Sequence, residues 1–388
     1  MRVLEAAPQL GGRVRSVTQD GFTLDAGFQV LFTAYPAVRR QLDLTRLDLV
    51  TLPPAAVIRD GRALETVGRD PGSLGGTLRA RSLTWPDRVR VLTLAATLKS
   101  APAEHLLLGD DEPTGDFLRR YGFSRRATQR FFAPFFGGIF LKRDLSASAR
   151  LFRYYFRMLL DGSIAVPRGG IGRISEQLAE GLEVTLNTRV HRLEPNPTGV
   201  TLVTTAGSLT ADRVIVATDP PEIARLTGLP VPTTGVGSTY LYYATDTHLD
   251  DEPRLLLNAR NGYINNALWA SNTNPLLAPP GQHLLAVTVL GVGEQDDETL
   301  DRGVRADLTS WYGGAAARLR LLKIIRIPFA QFAQPPGFAA KLVSNETPLP
   351  NVYLASEVTG SSSVQGAMES GENAAALILG RGVRTRGA

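Results

Sequence analysis

The residues of this chain that could do chemistry are few, and they stand near its two ends. Glu5 closes a short apolar run, Arg2-Val3-Leu4, and Gly11-Gly12-Arg13 follows shortly after. A carboxylate at a strand's carboxyl end offers two acceptor oxygens in the geometry that the vicinal diol of a ribose needs. Glycines there let the backbone approach a ligand closely, and an arginine fork pairs with phosphate oxygens. The plainer alternative is a surface acid after a buried strand, followed by a turn. At the other end, Val352-Tyr353-Leu354-Ala355 reads as a strand, and Gly366-Ala367-Met368-Glu369-Ser370-Gly371 runs into an alanine-rich helix. A helix N-terminus stabilises an anion, although the same glycines suit close helix packing.

A dinucleotide-binding unit normally opens on a strand, a G-x-G-x-x-G turn and a helix, with the ribose-binding acid about twenty residues after the glycines. Here only four residues precede Glu5. Either the start of the sequence lies downstream of the true one, or the nucleotide site is incomplete. The 388 residues are therefore expected to hold a dinucleotide weakly or not at all, and a chain extended upstream to hold it tightly.

Other chemistry is largely excluded. With no cysteine there is no disulfide, no thiolate-held zinc and no redox CxxC pair, and a cytosolic setting fits best. His105, His191, His248 and His283 are isolated from one another, without metal-ligand spacing or a nearby nucleophile, so no metal is expected and no catalytic residue is assigned. Net charge is +5, carried almost wholly by arginine, since Lys99, Lys142, Lys323 and Lys341 are the lysines. These charges are scattered and lack the clustered, aromatic-interleaved pattern of a nucleic-acid surface. No charged-then-apolar leader is visible, so no signal peptide is expected, and no run of about eighteen apolar residues occurs that would span a membrane. Peripheral contact with a membrane stays open, as does the oligomeric state.

The elements that must position these residues follow from periodicity. Phe22 to Asp25 alternates as a strand, Pro36 starts a short helix, and Val57 to Leu64 reads as a hairpin around Asp60-Gly61. Residues 73 to 160 are mostly helical in pattern, with one helix beginning at Trp85-Pro86-Asp87. Strands return between Glu183 and Thr218 and again from Thr239 to Val292, and Glu294 to Leu322 reads as helical. Phe131, Phe132, Phe135, Phe136, Phe140, Phe152, Tyr154, Tyr155 and Phe156 are expected to form core, with a subset able to line a hydrophobic tunnel.

The joint pattern of Val3-Leu4-Glu5-Ala6, Gly11-Gly12-Arg13, Gly21-Phe22, Asp25-Ala26-Gly27, Tyr35-Pro36, Val166 to Gly172, Ala211 to Ala217 and Asn351 to Leu379 resembles the amine oxidase/phytoene desaturase superfamily of FAD-dependent oxidoreductases, which includes protoporphyrinogen oxidases. The segments occur in the family's order and cover almost the whole chain. The resemblance implies an α/β architecture (α+β overall): a Rossmann-type FAD-binding domain, from residues 1–50, 165–235 and 340–388, interleaved with a sheet-plus-helix substrate domain, from 51–164 and 236–339. It also implies FAD as cofactor. Glu5 would bind the adenosine ribose, and Gly11, Gly12 and Arg13 would lie along the pyrophosphate and ribityl chain. Gly27 and Phe28 would approach the flavin ring, Val190 would hold the adenine through its backbone, and Gly366, Ala367 and Met368 would present amides to the pyrimidine edge. Where the family has Gly-Asp, this chain has Ser356-Glu357, so Glu357 would reach the ribityl chain with one more methylene. Amine oxidases of the family commonly carry a lysine facing flavin N5, and Ser238 to Tyr243 has none. The expected activity is oxidation of a small hydrophobic substrate by hydride transfer to N5, of carotenoid type. An amine is the alternative substrate, and a non-catalytic remnant or nucleotide-binding partner protein the alternative class.

Overall fold

The computed structural model describes residues 1–27 and 29–381, so Phe28 lies outside the described residues. Its largest element is a mixed seven-stranded sheet in the order Arg320–Gln331, Val236–Thr245, His283–Leu290, Ile264–Trp269, Leu255–Asn258, Ala55–Asp60, Ala63–Gly68. Neighbours are antiparallel except Leu255–Asn258 against Ala55–Asp60, which run parallel. Strand alternation sends side chains to opposite faces, and the Val236–Thr245 strand shows the consequence. Leu241 and Tyr243 pack with Leu300, Val304, Leu308 and Trp311 of the Asp297–Tyr312 helix, whereas Tyr240, Tyr242 and Ala244 pack against Phe22 and Leu24 on the other side.

A helical layer covers residues 71 to 161. The Trp85–Lys99 helix starts where the sequence signalled it. Thr84 and Asp87 form a reciprocal capping box with Pro86 in the first turn, and Asp87 also accepts from the Ser124 amide and hydroxyl at 2.8 and 2.7 Å. The aromatic stretch is broken into Thr114–Arg120, Arg125–Ala127, a wide-turn segment Thr128–Phe132, and Ala133–Phe140. Phe132, Phe136 and Phe152 are fully buried there.

Two parallel strand pairs, Arg2–Leu4 with Glu183–Thr185 and Val214–Val216 with Val352–Leu354, stand as separate two-stranded sheets. A three-stranded antiparallel sheet spans Val190 to Ala211.

Two expectations are corrected. The helical reading to Leu322 ends early: the chain leaves the Asp297–Tyr312 helix at Gly313, with φ 62, and after a 3-10 turn enters the twelve-residue strand Arg320–Gln331. Its β-branched Ile324, Ile325 and Ile327 favour the pleated form. His248 and His283 are also not isolated, since Thr245 pairs with His283 across the sheet and the two rings lie 4.9 Å apart. No group of residues suited to a metal ion occurs among the described residues.

Candidate active site

One cavity of about 2540 Å³ runs between the two parallel strand pairs and the helical layer, and its lining is mostly apolar. A pocket for a single small ligand is roughly 300–1,000 Å³, so this one has room for a dinucleotide and a second molecule. Glu5, Gly11, Gly12, Arg13, Val190, Glu357 and Ala367 all line it. Chain segments far apart in sequence are therefore brought to a common wall.

At one end, Glu5 follows the Arg2–Leu4 strand, and one carboxylate oxygen accepts from the Ala7 amide at 2.8 Å. The Glu5 backbone is fixed from both sides, its amide donating to Thr185 O and its carbonyl accepting from Thr188 N. Val190 opens a neighbouring strand, and its carbonyl accepts from Arg225. Gly12 has φ +53 and nothing within 4 Å of where a Cβ would stand. The backbone here is both bent as glycine allows and open to close approach.

In the middle of the wall, Arg13 donates to Glu357 at 2.7 Å and to the Ala330 carbonyl at 2.6 Å. Glu357 is only 5% exposed and also accepts from the Ser362 hydroxyl. The residues assigned by resemblance to pyrophosphate and ribityl chain thus hold one another. Sequence spacing gave no sign of this pairing.

At the far end, the Val364–Ile378 helix begins at Ser363, whose hydroxyl accepts from the Gly366 amide at 3.0 Å, while the Ala367 amide donates to Ser363 O. A Cβ on Gly366 would stand 2.1 Å from Ser361 O, so close packing alone requires glycine there. Ser362, Ser363, Val364 and Ala367 face the cavity, while Gly366 and Met368 are not part of its wall. Gly27 is also off the wall, against the Tyr240 ring.

A subset of the aromatic stretch was expected to line a tunnel, but which of its residues join the wall had no signal in the sequence. Phe131, Phe135 and Phe156 line the cavity, whereas Phe132 and Phe152 turn inward. Tyr155 also lines it and bonds to Ser363 and Ser361; burial outweighs these bonds and pushes its hydroxyl up to about 12. Tyr240 joins the wall from the large sheet, its hydroxyl raised by burial. No lysine and no histidine among the described residues lines the cavity. Lys323 instead reaches Gln19 at 3.2 Å.

The residues present fit an adenine dinucleotide with a ring cofactor: a strand-end carboxylate, an open glycine and a capped helix start share one elongated cavity. A family model described as flavin containing amine oxidoreductase matches residues 1–379. Among solved structures, an oxidoreductase from Methanosarcina mazei has a TM-score of 0.73 at 18% identity, covering 95% of this chain and 92% of that one. A protein assigned as protoporphyrinogen oxidase from Exiguobacterium sp. has 0.72 at 21%, covering 97% and 92%. Cyclohexylamine oxidase from Brevibacterium oxydans has 0.66 at 16%, covering 97% and 92%. At such identities these likenesses speak to fold. No functionally curated protein matches the sequence. The family match spans nearly the whole chain and agrees with the cavity's donor set, and the chain belongs to the flavin-containing amine oxidoreductases, as an FAD-dependent oxidoreductase.

Proposed function

We propose that this oxidoreductase acts on a hydrophobic substrate, of the carotenoid or related isoprenoid kind, bound against the aromatic wall. The single observation that carries the reading is the chemistry of the cavity: mostly apolar, lined by Phe131, Phe135, Ile139, Phe156 and Leu159, and without lysine or histidine among its described lining residues. An ammonium brought into such a place needs a carboxylate partner, because an unpaired buried charge is costly. Of the carboxylates on the wall, Glu357 is engaged by Arg13, Glu222 by Arg189 and Arg225, and Asp219 caps its own helix, while Glu5 and Asp212 flank the parallel strand pairs, away from the aromatic residues in sequence. An apolar carbon skeleton meets no such demand.

FAD, when bound, supplies the hydride acceptor. The chain's own part is binding, orientation and exclusion of water. Glu5 would receive a ribose diol, Gly12 would admit a phosphate chain, and the Arg13–Glu357 pair would keep the intervening wall neutral. Tyr155 keeps its proton at neutral pH, since its hydroxyl is pushed up to about 12, and so acts as a neutral donor beside the helix start.

Amine oxidation is the second reading, favoured by the family's description and by the relative that is a cyclohexylamine oxidase. Anaerobic loss of the flavin's visible absorbance separates the two. Reduction by polyene substrates in detergent, with none by alkylamines, is the expected result. Reduction by amines alone would overturn the hydrophobic reading.

A further inference from the structure

Consecutive helices at the cavity mouth carry apolar side chains that the fold leaves in water. On the Trp85–Lys99 helix, Leu94 and Leu98 face the core, while Trp85, Val89 and Leu92 are 65%, 57% and 71% exposed. Their spacing of four and three places them on one stripe, so the helix is apolar on two faces. On the preceding Pro71–Arg79 helix, Leu74 and Leu78 are four apart and 51% and 55% exposed. All five belong to the wall of the large cavity, and their exposure sets them at its open rim. Single exposed leucines are ordinary, but five gathered on one rim mark an interaction surface.

The charges around this rim are one-sided. Between residues 69 and 99 the basic side chains are Arg69, Arg79, Arg81, Arg88, Arg90 and Lys99, against Asp70 and Asp87. Asp87 is fully buried, Asp70 caps its own helix through the Ser73 amide, and Lys99 is paired with Asp161, so the excess positive charge rests on the arginines. Arg79 and Arg81 are exposed, and the Arg88 guanidinium lies 4.7 Å over the Trp85 ring.

We propose that these two helices dock the protein on an anionic lipid surface, with Leu74, Leu78, Trp85, Val89 and Leu92 entering the headgroup–acyl boundary. The proposal rests on the reading of a hydrophobic substrate, which would pass from the bilayer into the cavity without crossing water. A basic rim around leucine and tryptophan suits an anionic interface, where lipid acidity meets the arginines and acyl chains accept the apolar stripe. A symmetric second copy would set two basic rims against each other. The surface continues inward to Phe131 and Phe135 on the same wall.

The test needs neither flavin nor substrate. Vesicles of phosphatidylcholine alone, and of phosphatidylcholine with phosphatidylglycerol, are mixed with the protein and sedimented. Trp85 is the exposed tryptophan, whereas Trp269 and Trp311 are 1% and 4% exposed, so a blue shift and quenching by bromolipid report this face. Binding to the anionic vesicles, weakened by salt, is expected. Leu78→Ser with Leu92→Ser should weaken it roughly tenfold, and Arg79→Glu with Arg81→Glu by a similar factor. Circular dichroism confirms that these surface variants are folded.

A folded parent that ignores anionic vesicles overturns the proposal, as do serine variants that bind like the parent. Self-association without lipid, abolished by the serines in a protein that does not sediment with vesicles, assigns the face to a second copy and also overturns it. Oxidation of a polyene in detergent by a protein that ignores vesicles would leave the substrate reading intact. Vesicle binding by a protein that oxidises only soluble amines would sink the substrate reading and keep the docking face.

Discussion

Arg13 and Glu357 stand 344 residues apart in the chain and 2.7 Å apart in the fold. The carboxylate is buried and the guanidinium about one-third exposed. Such a pair ties the N-terminal segment to the short 3-10 turn Glu357–Thr359 ahead of the last helix. Taking one partner away strands the other, which costs more than the pair itself contributes.

Arg13→Ala should therefore destabilise the protein by about 2–3 kcal/mol, since Glu357 would be left buried with only the Ser362 hydroxyl and water. Glu357→Gln, which keeps shape and removes the charge, should cost less. Urea unfolding of both single variants and the double variant gives the coupling. Additive effects would show that the pair is incidental.

FAD affinity should respond to Glu5 and Arg13 separately from turnover. Glu5 already gives one oxygen to the Ala7 amide, so Glu5→Gln leaves a single carbonyl oxygen to serve two tasks. Binding is expected to weaken by about 1–3 kcal/mol. Arg13→Lys should weaken it too, because the planar fork is lost although charge is kept. Flavin titration, with turnover measured at saturating FAD, is the check. Parent-like binding in both variants would leave Glu5 as a surface acid.

Asp25 should give stability a slope with pH. Burial raises its carboxyl above the ordinary value, against hydrogen bonds from Ser16 and the Ile171 amide. The folded state then holds this proton more tightly than the unfolded one. Its contribution is full below the unfolded value, about 3.9, and is lost as pH rises through the folded value. Asp25→Asn lacks this titration, so its stability relative to the parent should improve as pH rises above the unfolded value of about 3.9. Chemical denaturation at several pH values reads the difference. A flat or falling difference would contradict the assignment.

Asp87 should be the costliest polar residue of the helical layer. It accepts from the Thr84 amide and hydroxyl at 2.8 and 2.6 Å, and from the Ser124 amide and hydroxyl. Asp87→Ala removes the capping box and leaves buried donors unpaired, for a loss of about 2–4 kcal/mol. Ser124→Ala should lose about 1 kcal/mol. Thermal unfolding monitored by circular dichroism ranks the two, and equal losses would deny Asp87 its bridging role.

The sequence by itself determined the local elements. The Asp60-Gly61 hairpin, the capped start at Trp85-Pro86-Asp87 and the alternating strand through Tyr240 to Tyr243 all form as periodicity and turn chemistry require. Each is decided by contacts within about ten residues, which composition and spacing record. The family resemblance was legible for a related reason: strand-end acid, glycines and helix start are short motifs. The tertiary structure alone decided what meets across the chain. It set Arg13 on Glu357, brought His248 to His283, and turned Phe131 and Phe135 to the cavity while burying Phe132 and Phe152. It also left Trp85, Val89 and Leu92 exposed on a helix whose other face fills the core. Nothing in a local window distinguishes those outcomes, because which apolar stripe is covered depends on the elements that arrive from elsewhere in the chain.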